Sequence, residues 1–139
     1  IRLQRAPSAA GAMRLFGARL ALVEHGRVEI EIDSTPEITQ QHGFTHGGVI
    51  GAVLDTACGF AALTTMPPDT GVLTVEYKVN FLAPALGTHF RLVGRVRKAG
   101  RTITLSEGDA YAMREGGEKL IATITATMMT IVGRDDVRS

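Results

Sequence analysis

Val49-Ile50-Gly51-Ala52-Val53-Leu54-Asp55-Thr56-Ala57-Cys58-Gly59-Phe60-Ala61-Ala62-Leu63-Thr64 is the stretch on which the fold turns. Its apolar residues leave almost no helical face polar. A helix that is apolar all round is a buried helix. The pattern predicts one over 49–64, stopped by the pair Pro67-Pro68, because proline removes a backbone donor and disfavours helix in the residue before it. Working outward, 34–48 is a polar, glycine-punctuated loop of the length that compact domains keep for function. Before it, Arg19–His25 and Arg27–Asp33 read as two strands around a turn at Gly26. Val28, Ile30 and Ile32 alternate with Arg27, Glu29 and Glu31, the period of a half-buried strand. Residues 11–17 extend a short helix, with Leu15 and Phe16 expected to dock on the body. After the helix, 71–83, 88–98, 101–113 and 119–131 read as strands, and Gly116-Gly117 signals a hairpin. Residues 88–98 set Phe90, Leu92 and Val96 against Arg91, Arg95 and Arg97. The order strands, loop, one buried helix and then a long antiparallel meander is an α+β plan, one sheet curled around one helix.

The chain has 139 residues, 45% hydrophobic and 21% charged, which suits a single domain over 1–139. Residues 1–10 and 133–139 are expected to be flexible. A formal net charge of +1 gives no general reason to expect nucleic acid or a membrane surface as partner. No run of about 18 apolar residues is present, so no transmembrane helix is expected. Tryptophan is absent and aromatics are 5%, so the core must be built of small aliphatics. Such a chain can gain stability by burying a face against a copy of itself. The single cysteine, Cys58, allows no intrachain disulfide and fits a reducing, cytoplasmic location.

Asp55 is the only charged residue between Gly47 and Met66. A carboxylate among apolar neighbours must be hydrogen-bonded, neutralised or set at a cleft, since burying it unpaired costs several kcal/mol. It reads either as a buried acid satisfied locally or as a general base or nucleophile beside a ligand. His46-Gly47-Gly48 falls at the expected helix start, where backbone N–H groups lack partners and the helix dipole is positive. That segment reads either as ordinary capping or as an oxyanion donor that glycine lets a carbonyl approach. Asp55 lies eight residues past Gly47, about 12 Å along a helix axis. Both must come within roughly 3 Å of one reacting carbonyl. One helix cannot easily do both, whereas two antiparallel copies across a two-fold axis can. The chemistry therefore implies a homodimer with composite sites. Arg95, Arg97, Lys98 and Arg101 read as a solvated strand face or, beside an acyl site, as a seat for phosphates. His25, His42 and His89 show no metal-ligand spacing, so no metal is expected. Cys58 reads as an inert core residue, and no phosphate loop or G-x-S-x-G elbow is present.

The run Gln40-Gln41-His42-Gly43-Phe44-Thr45-His46-Gly47-Gly48, followed by Val53-Leu54-Asp55-Thr56-Ala57, resembles the PaaI-type branch of the hotdog-fold acyl-CoA thioesterases. Residues 75–84 (VEYKVNFLAP) and the turn Lys98-Ala99-Gly100-Arg101-Thr102 match as well, so the likeness runs from about Phe16 to Ile131. It implies a hotdog fold, an antiparallel sheet wrapped around one long central helix, in dimers paired into homotetramers. It implies hydrolysis of a small or medium acyl- or aryl-CoA thioester without metal or organic cofactor. By position, the Gly47 N–H would polarise the thioester carbonyl and Asp55 of the facing subunit would activate water or attack directly. Thr74 would position the water and His46 would orient the thioester. Gln40, where the family frequently has Asn, and Gly48 would contact substrate, and Arg97, Lys98, Gly100 and Arg101 would hold coenzyme A. The rival readings are a hotdog hydratase or dehydratase and a non-catalytic acyl-CoA-binding protein.

Overall fold

The computed structural model describes residues 11–132. The ends expected to be flexible, 1–10 and 133–139, lie outside the described residues. A short helix α1 (Gly11–Leu15) precedes β1 (Arg19–Glu24) and β2 (Arg27–Asp33), and a single 3-10 turn at Pro36–Ile38 leads to the long helix α2 (Gly47–Leu63). Four strands follow: β3 (Thr70–Phe81), β4 (His89–Lys98), β5 (Ile103–Arg114) and β6 (Gly117–Val132). They form a six-stranded sheet in the order β1-β2-β4-β5-β6-β3, every neighbouring pair antiparallel. This is the expected α+β hotdog architecture, one long helix against one antiparallel sheet.

Three expectations need correction. The meander comprises only β4, β5 and β6. β3 does not lie beside β4 but pairs with β6 and forms the far edge of the sheet. The chain reaches β4 through residues 82–88, which pass the start of α2, where the Thr45 N–H donates to the Ala85 carbonyl at 2.9 Å. At α1, Leu15 is 76% exposed and does not dock. Met13 is buried in its place and Phe16 packs partly against the core. The i, i+3 spacing puts those two on one face of the helical turn and Leu15 on the other. Finally, α2 begins at Gly47, two residues before the apolar run.

What seats α2 is glycine in the sheet. Gly94 on β4 and Gly108 on β5 are register partners. A Cβ at Gly94 would lie 2.4 Å from the Ala57 carbonyl carbon, and one at Gly108 would lie 3.4 Å from Cys58 Sγ and 2.3 Å from the Val93 carbonyl oxygen. The helix backbone thus rests directly on the sheet, an approach only glycine permits. The Ser106 hydroxyl donates to the Cys58 carbonyl at 3.2 Å, and Thr64, the C-cap, accepts the Gly26 N–H on its hydroxyl at 2.7 Å. Around this contact Val28, Ile30, Ile32, Leu54, Leu92, Ile124 and Met128 close a mostly aliphatic core, with the Phe90 ring its largest fully buried side chain.

Among the described residues the opposite face of the sheet carries no helix and is laced by ion pairs. Arg91 bonds Glu29 on β2 and Glu118 on β6, and its guanidinium lies 4.6 Å from the Tyr111 ring centre. Burial raises the Glu29 carboxyl, but hydrogen bonds and charge from Arg27 and Arg91 outweigh it and hold Glu29 below the usual carboxylate range.

Candidate active site

One row of small residues on α2 faces β3. A Cβ on Gly47 would meet the Phe81 ring at 3.2 Å, one on Gly51 would meet Val79 at 4.0 Å, and one on Gly59 would meet Val72 at 3.9 Å. Asp55 completes this i, i+4 row, and its carboxylate accepts the Thr74 hydroxyl at 2.7 Å. The four pairs run in order along the helix and in reverse order along the strand, so α2 and β3 lie antiparallel. Thr74 points to the helix because a bulge at Val75 resets the alternation between Thr74 and Glu76. Its hydroxyl also sits 3.4 Å from Met128 Sδ.

Asp55 is half-buried rather than enclosed. The stripe Gly48, Ala52, Asp55 and Thr56 is the part of α2 that the chain's own sheet leaves uncovered. Burial pushes the Asp55 carboxyl above the ordinary aspartate range, and the Thr74 hydroxyl partly offsets that by donating to it. A carboxylate so placed is a better proton acceptor than one in water. The Cys58 thiol is pushed up to about 12, by burial first and by the Asp55 charge second. It stays protonated and cannot serve as a nucleophile.

The helix start is organised by His46. Its Nδ1 accepts the Gly48 N–H at 2.8 Å, so a neutral His46 carries its proton on Nε2, on an exposed ring. The N–H of Gly48, a residue expected to contact substrate, is therefore committed to the cap. Among the described residues the Gly47 N–H has no hydrogen-bond partner, which leaves it as a donor at the positive end of α2. Gln40 lies in the turn before the helix. Its N–H donates to the Phe44 carbonyl at 2.7 Å, its side-chain carbonyl accepts the His42 N–H, and Gly43 takes a φ of +86° to close the turn. The Gln40 amide NH2 makes no bond among the described residues.

The structure brings Asp55 and Thr74 together and keeps Gly47 with His46, Gly48 and Gln40 at the other end of the row. It divides the basic group. Arg97 reaches Glu107 at 3.9 Å on the outer sheet face, where with Glu76 and Thr127 it lines a cavity of about 270 Å³ away from Asp55. Arg95 is held by Asp109 at 2.9 Å. Lys98 is exposed. Gly100 and Arg101 line a separate cavity of about 260 Å³ with Met66 and Pro67, past the C-terminal end of α2. Sequence reasoning missed Phe81, whose ring covers Gly47. The alternation Tyr77, Val79, Phe81 against Lys78 and Asn80 carried the signal that this side chain faces the helix.

A family model described as the Thioesterase superfamily matches residues 42–119, which span the helix, Asp55 and the basic turn. A crystal structure of a thioesterase family protein from Silicibacter pomeroyi is 47% identical, has a TM-score of 0.89, and is matched over 91% of this chain and 93% of that one. A candidate esterase of Saccharolobus solfataricus is 38% identical over 94 residues, 68% of this chain and 66% of that protein. A 1,4-dihydroxy-2-naphthoyl-CoA hydrolase of Listeria monocytogenes is 29% identical over 73 residues, 52% of this chain and 59% of that protein. The first of these curated relatives is thus matched over just under two thirds of its length. The thioester-hydrolase class read from the sequence and the family reached by comparison agree: this chain belongs to the thioesterase superfamily and carries its hotdog fold.

Proposed function

We propose that the protein hydrolyses a small or medium acyl- or aryl-CoA thioester to the free acid and coenzyme A, as a homodimer with two composite sites. The reading rests on one observation. Asp55 and the Gly47 N–H, which has no partner among the described residues, lie about two turns apart on one helix row, against Thr74 and Phe81 of an edge strand that no other described strand covers. Val75 and Tyr77 of that strand are 54% and 47% exposed, and among the described residues one side of β3 has no strand beside it. An uncovered, apolar edge is a template for pairing. With Val75 bulged out of register, Thr74 and Phe81 each lie three paired positions from Lys78. If two β3 strands pair antiparallel about Lys78, Thr74 comes opposite the partner's Phe81. Asp55 then comes opposite the partner's Gly47, which removes the 12 Å gap.

In such a site the Gly47 N–H donates to the thioester carbonyl oxygen and His46 Nε2–H orients the thioester. Asp55 of the facing subunit, its orientation fixed by the Thr74 hydroxyl, takes a proton from water. The water oxygen bonds to the carbonyl carbon, and negative charge on the carbonyl oxygen is met by the Gly47 N–H and the helix dipole. The C–S bond then breaks, and the leaving thiolate takes from Asp55 the proton that Asp55 removed from water. The free acid keeps the water oxygen. Protein groups and water suffice, with no metal or organic cofactor. Gln40 contacts substrate through its free amide. Gly100 and Arg101 receive the coenzyme A phosphates, a role supported by the cavity at that turn and by the CoA substrate named for the Listeria relative, with the exposed Lys98 and Arg97 adding positive charge from outside that cavity. Pairing of two dimers into a tetramer, and a cytoplasmic setting that suits a lone reduced thiol, complete the reading.

Thiol release from a panel of acyl-CoAs tests it. Asp55→Asn keeps a hydrogen-bond acceptor for Thr74 and is expected to lower kcat by at least about 100-fold, with the oligomer intact by light scattering. Hydrolysis by that variant at the parental rate would end the assignment.

A further inference from the structure

We infer that Phe81 is a specificity-determining residue, the wall that limits acyl bulk beside the carbonyl, and that residue 47 is glycine because this ring occupies the space of a side chain. The inference rests on the composite-site reading above. Phe81 is the last residue of β3, paired with the buried Ala122, so it projects to the helix side of the sheet. Its ring meets Gly47 end-on. A Cβ at that position would lie 3.2 Å from Cζ and 3.3 Å from Cε1, closer than side chains normally approach. Yet the ring is 57% exposed. It leans on the helix start from the open side and is not part of the closed core.

That placement has consequences on both sides of the ring. On one side, the Gly47 N–H is bordered by an apolar edge. An acyl oxygen within about 3 Å of this donor brings its carbonyl carbon, and the carbon attached to it, alongside the ring. On the other side, pairing of β3 edges puts Phe81 opposite the partner's Thr74. The ring then stands between its own Gly47 and the partner's Asp55, where the acyl chain must pass. A straight chain slides along such a ring, whereas a methyl branch next to the carbonyl meets it.

The same contact makes positions 47 and 81 interdependent. Alanine at 47 keeps the N–H, so a pure hydrogen-bond role would tolerate it. Its methyl would push the Phe81 ring by a few tenths of an ångström or shift the helix start, and either moves the donor. Removing the ring removes the conflict.

The test pairs substrates and variants. Wild type, Phe81→Ala, Phe81→Leu, Gly47→Ala and the Gly47→Ala/Phe81→Ala double variant are assayed for thiol release from propionyl-CoA against isobutyryl-CoA, and from phenylacetyl-CoA against 2-phenylpropionyl-CoA. Phe81→Ala is expected to raise the branched-to-straight ratio of kcat/KM by about tenfold or more, and Phe81→Leu, which preserves apolar bulk if alanine unfolds the edge, by a smaller factor in the same direction. Gly47→Ala is expected to lower kcat by about tenfold in the parental background and by under about threefold alongside Phe81→Ala. Ratios unchanged in both Phe81 variants, or an equal Gly47→Ala loss in both backgrounds, would overturn the wall while leaving the thioesterase standing. A wild-type protein that releases no thiol from any of the four would overturn the thioesterase reading, and the wall with it.

Discussion

Asp55 is raised by burial and steadied by one hydroxyl, and the two effects give opposite signs for activity and stability. Activity needs the carboxylate. kcat/KM should therefore fall on the acid side with an apparent pKa above that of an ordinary aspartate, and Thr74→Val, which removes the one bond favouring the charged form, should move that limb to still higher pH. A limb at or below the ordinary value would contradict the base role. For stability, a carboxyl whose pKa is raised on folding favours the folded state fully below the unfolded pKa. That contribution is lost as pH rises through the folded pKa. At pH 8 the buried charge is a cost, so Asp55→Asn should leave Tm unchanged or raise it while abolishing turnover. A lowered Tm at pH 8 would mean that the carboxylate is structural. The acid was legible in sequence because charge among apolar neighbours stands out. Its partner Thr74 was legible only through resemblance, because a threonine in a β-rich run has no local feature that says what it faces.

At the scale of elements, the decisive contact is α2 on β4 and β5. Gly94 allows it, with 2.4 Å between a hypothetical Cβ and the helix backbone. Gly94→Ala cannot be absorbed by a side-chain rotation, since the obstacle is main chain. It should cost about 3 kcal/mol in urea unfolding, the upper end for overpacking. Gly26→Ala should cost less, about 1 kcal/mol, because the strain there is only a φ of +78° in an open turn. Equal costs at the two sites would argue against backbone contact as the seat of the helix. The helix itself was readable from its apolar run and His46-Gly47-Gly48 was placed at its start, but the onset at Gly47 rather than Val49 was not, because two glycines have poor intrinsic helix propensity and are recruited by the His46 cap. The place of β3 was also unreadable. Its alternation says strand, yet nothing local says that it pairs with β6 rather than with β4.

At the scale of the molecule, the described residues leave a stripe of α2 and the β3 edge of the sheet uncovered, and the functional groups lie along both. If each site takes Asp55 from one subunit and Gly47 from the other, two impaired variants should repair each other. Asp55→Asn mixed with Gly47→Ala, unfolded and refolded together, should recover about a quarter of wild-type activity, since half the dimers are mixed and each has one intact site. No recovery from mixed dimers isolated by differential tags would place both groups in a single subunit. A charge on the β3 edge, Tyr77→Asp, should release monomers in sedimentation and lose activity in parallel.

Sequence alone determined the periodicities, and with them the elements: one apolar helix, six strands, a polar loop before the helix and a solitary acid within it. Those are local properties, written in residues a few positions apart. Only the tertiary structure decided which strand lies at the edge, that Gly94 and Gly108 carry the helix, that Phe81 rests on Gly47, and that Arg97 and Arg101 part company. Each of these depends on contacts between residues far apart in the chain, and such contacts are selected by the packing of the whole chain, to which no short stretch gives access.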